Sequence, residues 1–177
     1  MEKTKKNEGK LFESDFQKSI DIEKILVKRF NDNAASFGGS NNTRFTSTNE
    51  CDYELFDPES RTLYFLELKS TLSSLTFWRE DFDGKSFNIK RNQILGLSKF
   101  SKYENTVCGL VINFRSKELN DTFFVYIDEF VKYTNQLNKK SINYNDVIKM
   151  SPIKVQCNKK ITRYKYDIDK FINETKK

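Results

Sequence analysis

The 177-residue sequence contains no histidine. That absence excludes Ser-His-Asp and Cys-His catalytic arrangements, histidine-ligated zinc and nucleases that rely on a histidine base. Any catalysis has to run on carboxylates, lysine, tyrosine, cysteine or a metal held by oxygen, and oxygen donors suit Mg2+ or Mn2+. Cysteine is scarce too. Cys51, Cys108 and Cys157 are odd in number and lack paired metal-ligand spacing, which reads as reduced core thiols in a cytoplasmic protein. No apolar run approaches the ~18 residues that cross a bilayer, and no signal-peptide pattern opens the chain.

What is present points to a folded, polyanion-binding protein. Aromatic residues make up 14% of the chain and argue against disorder. The formal net charge of +6 favours nucleic acid as partner. Residues 1–10 read as a flexible basic arm and residues 11–177 as one domain.

Hydrophobic spacing predicts a long amphipathic helix from Leu11 to Phe30, with Phe12, Phe16, Ile20, Leu26 and Phe30 on its apolar stripe. Asn31 to Asn49 is rich in Asn, Ser, Thr and Gly and reads as an exposed loop, with a short strand near Arg44-Phe45-Thr46. Two strands, Cys51 to Phe56 and Tyr64 to Lys69, are joined through Asp57-Pro58-Glu59-Ser60, a turn signal. A helix is expected over Lys90 to Lys102. Val107 to Phe114 is a continuous apolar run, as a central strand requires. Another strand follows at Thr122 to Ile127, then a helix capped by Asp128 and running to Asn138. Asn143 caps a short helix ending near Lys149, and Pro152 to Val155 and a last helix from Asp167 to about Asn173 close the fold. The order of elements predicts an α/β fold.

Within the second hairpin strand, Glu67 and Lys69 point to one face while Leu66 and Leu68 point to the other. An acid and a base on a buried strand are costly unless they are used. Glu-x-Lys also occurs at Glu8-Gly9-Lys10 and Glu174-Thr175-Lys176, but only in polar terminal stretches. The hairpin would bring Asp52 beside Glu67. Glu50 and Glu54 are the alternatives to Asp52, and Glu54 shares its face by period two. A plain cross-strand pair is the structural alternative for Glu67 and Lys69.

Gly9-Lys10-Leu11-Phe12-Glu13, Asp52 and Glu67-Leu68-Lys69-Ser70-Thr71 together resemble the PD-(D/E)XK nuclease superfamily. Within it the chain most resembles the RecU-type Holliday-junction resolvases and their phage-type relatives. Asn92-Gln93, Gly109 to Ile112, Phe123 to Tyr133, Lys140-Ser141-Ile142 and Arg163-Tyr164-Lys165-Tyr166 follow the same order. The resemblance implies a restriction-endonuclease-like mixed central sheet flanked by helices. It further implies Mg2+-dependent resolution of four-way DNA junctions by a homodimer in a bacterial or phage-infected cell, with Mn2+ able to substitute.

By that resemblance Asp52, Glu67 and the Leu68 carbonyl hold the metal. Glu13 serves as an outer ligand, or else it only complements the helix dipole. Lys69 positions or deprotonates the attacking water and offsets developing negative charge. Gln93 binds water or phosphate there, or is an ordinary helix amide. Ser70 and Thr71 contact phosphate or end the strand. Arg79, Lys85, Lys90 and Arg91 contact phosphate or form a solvated face.

Three departures stand out. Cys51 replaces the superfamily's proline, and Asn92 replaces a histidine. The stretch from Asn31 to Cys51 stands where RecU-type resolvases carry a long basic stalk. Two alternatives therefore stay open: a nuclease of the same superfamily without junction preference, and a non-catalytic DNA-binding protein on the same fold.

Overall fold

The two most apolar stretches lie side by side at the centre of the molecule. In a computed structural model, which describes residues 8–30, 49–82, 84, 86–115 and 120–176, β3 (Thr62–Thr71) and β5 (Thr106–Arg115) pair in parallel from Leu63 opposite Thr106 to Thr71 opposite Phe114. Antiparallel neighbours extend the sheet on either side. β2 (Tyr53–Asp57) and β1 (Leu26–Arg29) flank β3, while β6 (Asn120–Tyr126) and β8 (Ile153–Lys154) flank β5. The result is one six-stranded mixed sheet in the order β1-β2-β3-β5-β6-β8. Two small ribbons accompany it, β4 (Ser74–Thr76) with β7 (Ser141–Asn143), and β9 (Cys157–Lys159) with β10 (Tyr164–Tyr166).

Alternation along the strands divides the core in two. Leu66, Leu68, Val111 and Phe124 face α1 (Glu8–Ser19) and α5 (Ile168–Thr175), packing on Phe12, Phe16, Phe171 and Ile172. Leu110, Ile112, Phe123 and Val125 face α2 (Arg91–Phe100), α3 (Ile127–Thr134) and α4 (Tyr144–Ile148), packing on Ile94, Leu97, Phe130 and Val147. This is the expected α/β class, a mixed central sheet flanked by helices. Both faces of β5 are covered, which explains its unbroken hydrophobicity. Gly109 is required there, because a Cβ would stand 2.2 Å from the Val125 carbonyl oxygen and 2.7 Å from the Phe124 ring.

Several boundaries differ from the sequence expectation. α1 stops at Ser19, and Leu26–Arg29 is an edge strand rather than the end of a long helix. Ser19 Oγ turns back to the Asp15 carbonyl, and the Asp21 carboxylate accepts the Glu23 amide, so local side-chain bonds close the helix. Leu26 is 63% exposed and lies on no core stripe. At the other end α1 takes in Glu8 to Lys10, which the sequence reading assigned to the arm.

Asp128 lies in the first turn of α3, where it accepts the Ser101 hydroxyl, and does not cap it. That helix ends at Thr134 rather than Asn138, since Arg79 takes up the Thr134 and Leu137 carbonyls. Asn143 caps α4 as expected, accepting the Asp146 amide, while Asp167 precedes α5 and caps it by accepting the Lys170 amide. Cys51, Cys108 and Cys157 are free thiols. Among the described residues no helix is long and apolar enough to cross a membrane. The stretch around Arg44-Phe45-Thr46, and Lys85, lie outside the described residues.

Gly109→Ala should force β6 away from β5. We expect a melting temperature lowered by at least ~4 °C, since a core overpacking of ~2 kcal/mol moves a chain of this size by about 2–4 °C per kcal/mol. Circular dichroism melts compare the two proteins.

Candidate active site

Strand β2 opens at Tyr53, opposite Leu66, so the next residue back, Asp52, comes opposite Glu67. The Asp52 amide donates to the Leu66 carbonyl at 3.0 Å, and its carboxylate accepts the Leu68 amide at 2.8 Å. The side chain therefore stands where another backbone carbonyl would have closed the next rung. Strand alternation breaks at this point. Cys51 belongs to the α2 side of the core and Tyr53 to the α1 side, and Asp52 sits at the switch between them.

Glu67 projects on the α2 side and is only 1% exposed. Its Oε1 accepts from Lys69 Nζ and from Gln93 Nε2, each at 2.5 Å. Its Oε2 is buried and accepts no hydrogen bond among the described residues. Burial pushes the Glu67 carboxyl up to about 8, Lys69 pulls it down, and the neighbouring Asp52 carboxylate pushes it up again.

Gln93 is oriented by its own helix. In the first turn of α2 its Oε1 accepts the Lys90 amide at 2.8 Å, which turns the Nε2 group toward Glu67. Asn92 Nδ2 donates to the Asn49 carbonyl at 2.6 Å, tying α2 to the segment that leads into Asp52. Lys69 is 19% exposed, so its ammonium spans from the buried carboxylate toward solvent.

The structure thus gathers Asp52, Glu67, Lys69, Gln93 and the Leu68 backbone. Glu13, on α1, is engaged beside this group. Its carboxylate forms an ion pair at 2.6 Å with Arg29 of β1, while its carbonyl receives the Tyr53 hydroxyl at 3.5 Å. Glu54, the alternative to Asp52, pairs with Lys28 at 3.7 Å.

The residues expected at phosphate divide in the same way. Ser70 points to the opposite face of the sheet, donating to Asn113 Oδ1 at 2.8 Å and accepting from Arg115. Thr71 shapes the turn into β4 by donating to the Ser74 carbonyl and accepting the Ser73 amide. Arg79 is only 17% exposed and uses its donors internally, on Asp81 and on the Thr134 and Leu137 carbonyls. Lys90 and Arg91 are exposed at the start of α2, two or three residues from Gln93, with Arg91 over the Trp78 ring at 5.2 Å.

Sequence reasoning missed Arg29, the partner of Glu13, because the residue was assigned to a helix. It also missed the Asn113 and Arg115 side chains that occupy Ser70. The β-branched Ile25 and Val27, two residues apart and both packed on the α1 side of the core, are the signal that could have revealed the strand.

The acidic pair offers carboxylate oxygens, and Glu67 Oε2 accepts no hydrogen bond among the described residues, so these donors fit a hard divalent cation. Among the described residues no group of three or more Cys, Asp or Glu is poised to hold a metal. A cation here would draw on Asp52 and Glu67, with water completing its shell.

Glu67→Gln gives a pH test of this geometry. Since burial raises the folded carboxyl from 4.5 to about 8, the native charge costs nothing below about 4.5 and its full penalty above about 8. Measured without metal, Glu67→Gln should melt at least ~3 °C higher than the parent above pH 8, because each tenfold change in proton affinity between the folded and unfolded chain is worth ~1.4 kcal/mol. The difference should vanish toward pH 4.5.

No family model matches the chain. Among solved structures, the Holliday junction resolvase Hjc of Archaeoglobus fulgidus aligns with a TM-score of 0.38 and 12% identity, over 74% of this chain and 83% of that one. At that distance the likeness assigns no residue a role. A curated relative is nearer: the SPbeta prophage-derived uncharacterized protein YotM of Bacillus subtilis (strain 168) is 31% identical over 179 residues, spanning 95% of this chain and 86% of the relative. The chain belongs to the family of that prophage-derived protein.

Proposed function

We propose that the protein is a Mg2+-dependent DNA endonuclease that resolves four-way junctions by paired cuts on opposed strands, in the manner of the RecU-type resolvases that its sequence resembles. The observation that carries this reading is the Asp52–Glu67 pair, two carboxyl groups side by side, with Glu67 buried and its Oε2 accepting no hydrogen bond among the described residues. A structural ion pair would satisfy both oxygens. Burial and the Asp52 carboxylate make the Glu67 carboxyl costly to ionise, and such an arrangement persists where chemistry uses it.

Asp52 and Glu67 are the ligands for Mg2+, or for Mn2+ in its place, with the Leu68 carbonyl as a further donor and Glu13 as an outer one. Such an ion supplies positive charge that acidifies water and offsets charge on the scissile phosphate. The chain's own groups do the rest. Gln93 and Lys69 hold Glu67 Oε1, so the free oxygen of that carboxylate keeps one direction. The Lys69 ammonium reaches the solvent side of the pair, where it orients the attacking water and balances negative charge as it develops. Lys90 and Arg91, exposed beside Gln93, grip the DNA backbone.

One acidic pair cuts one strand, so paired incision calls for a two-fold homodimer. The sparsely basic stretch from Asn31 to Asn49 favours a second reading, in which the same chemistry acts on duplex or other branched DNA without junction preference.

Incubation with Mg2+ and matched four-way, three-way and linear DNAs tests the proposal. We expect the four-way junction to be cut fastest, and Asp52→Asn and Glu67→Gln to lose at least ~100-fold in rate. Equal cutting of linear duplex would replace junction resolution by the second reading. Tight binding with no cutting, or full activity in both variants, would overturn the catalytic assignment. Binding should weaken steeply with salt, as phosphate contacts release counterions.

A further inference from the structure

We propose that the β9–β10 hairpin is a wedge for DNA, with Ile161 entering the base stack and Lys159, Lys160 and Lys165 holding the phosphates on either side. The inference rests on the reading above that the substrate is DNA. Ile161 is 98% exposed, the most exposed of the large apolar side chains among the described residues. It sits at the tip of the hairpin. Tyr164 pairs with Lys159, and the Lys160 amide donates to the Arg163 carbonyl at 2.7 Å, leaving Ile161 and Thr162 as the two residues of the turn.

Turn chemistry does not call for these residues. Neither Ile161 nor Thr162 takes a positive φ, so small polar residues would serve this turn as well as a large apolar one. Packing does not call for Ile161 either, since it takes no part in the two core clusters. Lys159, Lys160 and Lys165 are exposed around it and form no ion pair among the described residues. An apolar tip ringed by cations complements DNA, whose phosphates surround a stack of apolar faces. Ile is among the side chains that proteins insert between base steps.

A wedge also needs a rigid base, and this hairpin has one. Asp15 of α1, itself 6% exposed, accepts Arg163 Nε at 2.5 Å with one oxygen and the Tyr164 amide at 3.2 Å with the other. Arg163 Nη2 reaches the Leu11 carbonyl at 3.3 Å, and the Tyr166 amide donates to Ser19 Oγ at 2.9 Å. The ribbon therefore lies along α1 with its tip toward the start of that helix. Glu13 on the same helix meets Tyr53, the neighbour of Asp52, so the ribbon is tied to the helix that packs at the Asp52 end of the sheet.

The test reads base unstacking without cleavage. A four-way junction carrying 2-aminopurine at the branch is titrated with protein in EDTA, so that hydrolysis plays no part. We expect wild type to raise the fluorescence at least ~3-fold. Ile161→Ser should bind within ~3-fold of wild-type affinity yet lose most of the rise, and Ile161→Leu should restore it. An equal rise with Ile161→Ser would overturn the wedge, as would binding without any rise or no binding at all. A dimer that becomes a monomer in Ile161→Ser on size-exclusion would also overturn it, assigning the tip to a contact between copies. Unstacking by a wild-type protein that never cuts in Mg2+ would remove the nuclease reading and keep the wedge. Cutting by Ile161→Ser with an unchanged fluorescence rise would do the reverse.

Discussion

The Asp52 carboxylate takes the Leu68 amide at the point where β2 has not yet begun, and the candidate site depends on that one hydrogen bond. Without it, Leu68 would leave a main-chain donor open beside a buried acid. With it, Asp52 is held in the plane of the sheet next to Glu67. A bond to a charged acceptor contributes about 1.5–3 kcal/mol, comparable to the cost of leaving a buried polar group unsatisfied. The Asp52 bond therefore offsets much of the strain of two neighbouring carboxylates without removing it. Lys69 and Gln93 satisfy one oxygen of Glu67, and the other oxygen is where the balance stays unfavourable.

The rest of the fold supplies the means of holding this arrangement. Covering β5 on both faces makes the β3–β5 pair the rigid centre, so Glu67 and Lys69 are carried on backbone that cannot yield. α2 is packed through Ile94 and Leu97, and its first turn turns Gln93 toward the acid. α1 is packed through Phe12 and Phe16, which places Glu13, Asp15 and the β9–β10 ribbon on the other side of the sheet. The acidic pair and the basic ribbon are thus fixed to the same frame.

Much of this neighbourhood was legible in the sequence because it is local. The period-two strand put Glu67 and Lys69 together, and the Asp57-Pro58-Glu59-Ser60 turn set the register that brings Asp52 across. What could not be read is what distant chain does to a side chain. Arg79 looked like a phosphate contact, but its partners are carbonyls at the end of α3, more than fifty residues away. Leu26 and Phe30 are spaced as a helix requires, and pairing with β2 overrides that spacing. Ile161 drew no reading from the sequence, because only the β9–β10 pairing places it at a tip.

The central proposal is that Asp52 and Glu67 together bind a divalent cation. Electron paramagnetic resonance of free Mn2+, titrated against the protein near pH 7.5, measures this directly. We expect one bound ion per chain, with affinity reduced at least ~10-fold in Glu67→Gln and in Asp52→Asn. Equal Mn2+ binding by the parent and both variants, or no binding by the parent, would contradict it.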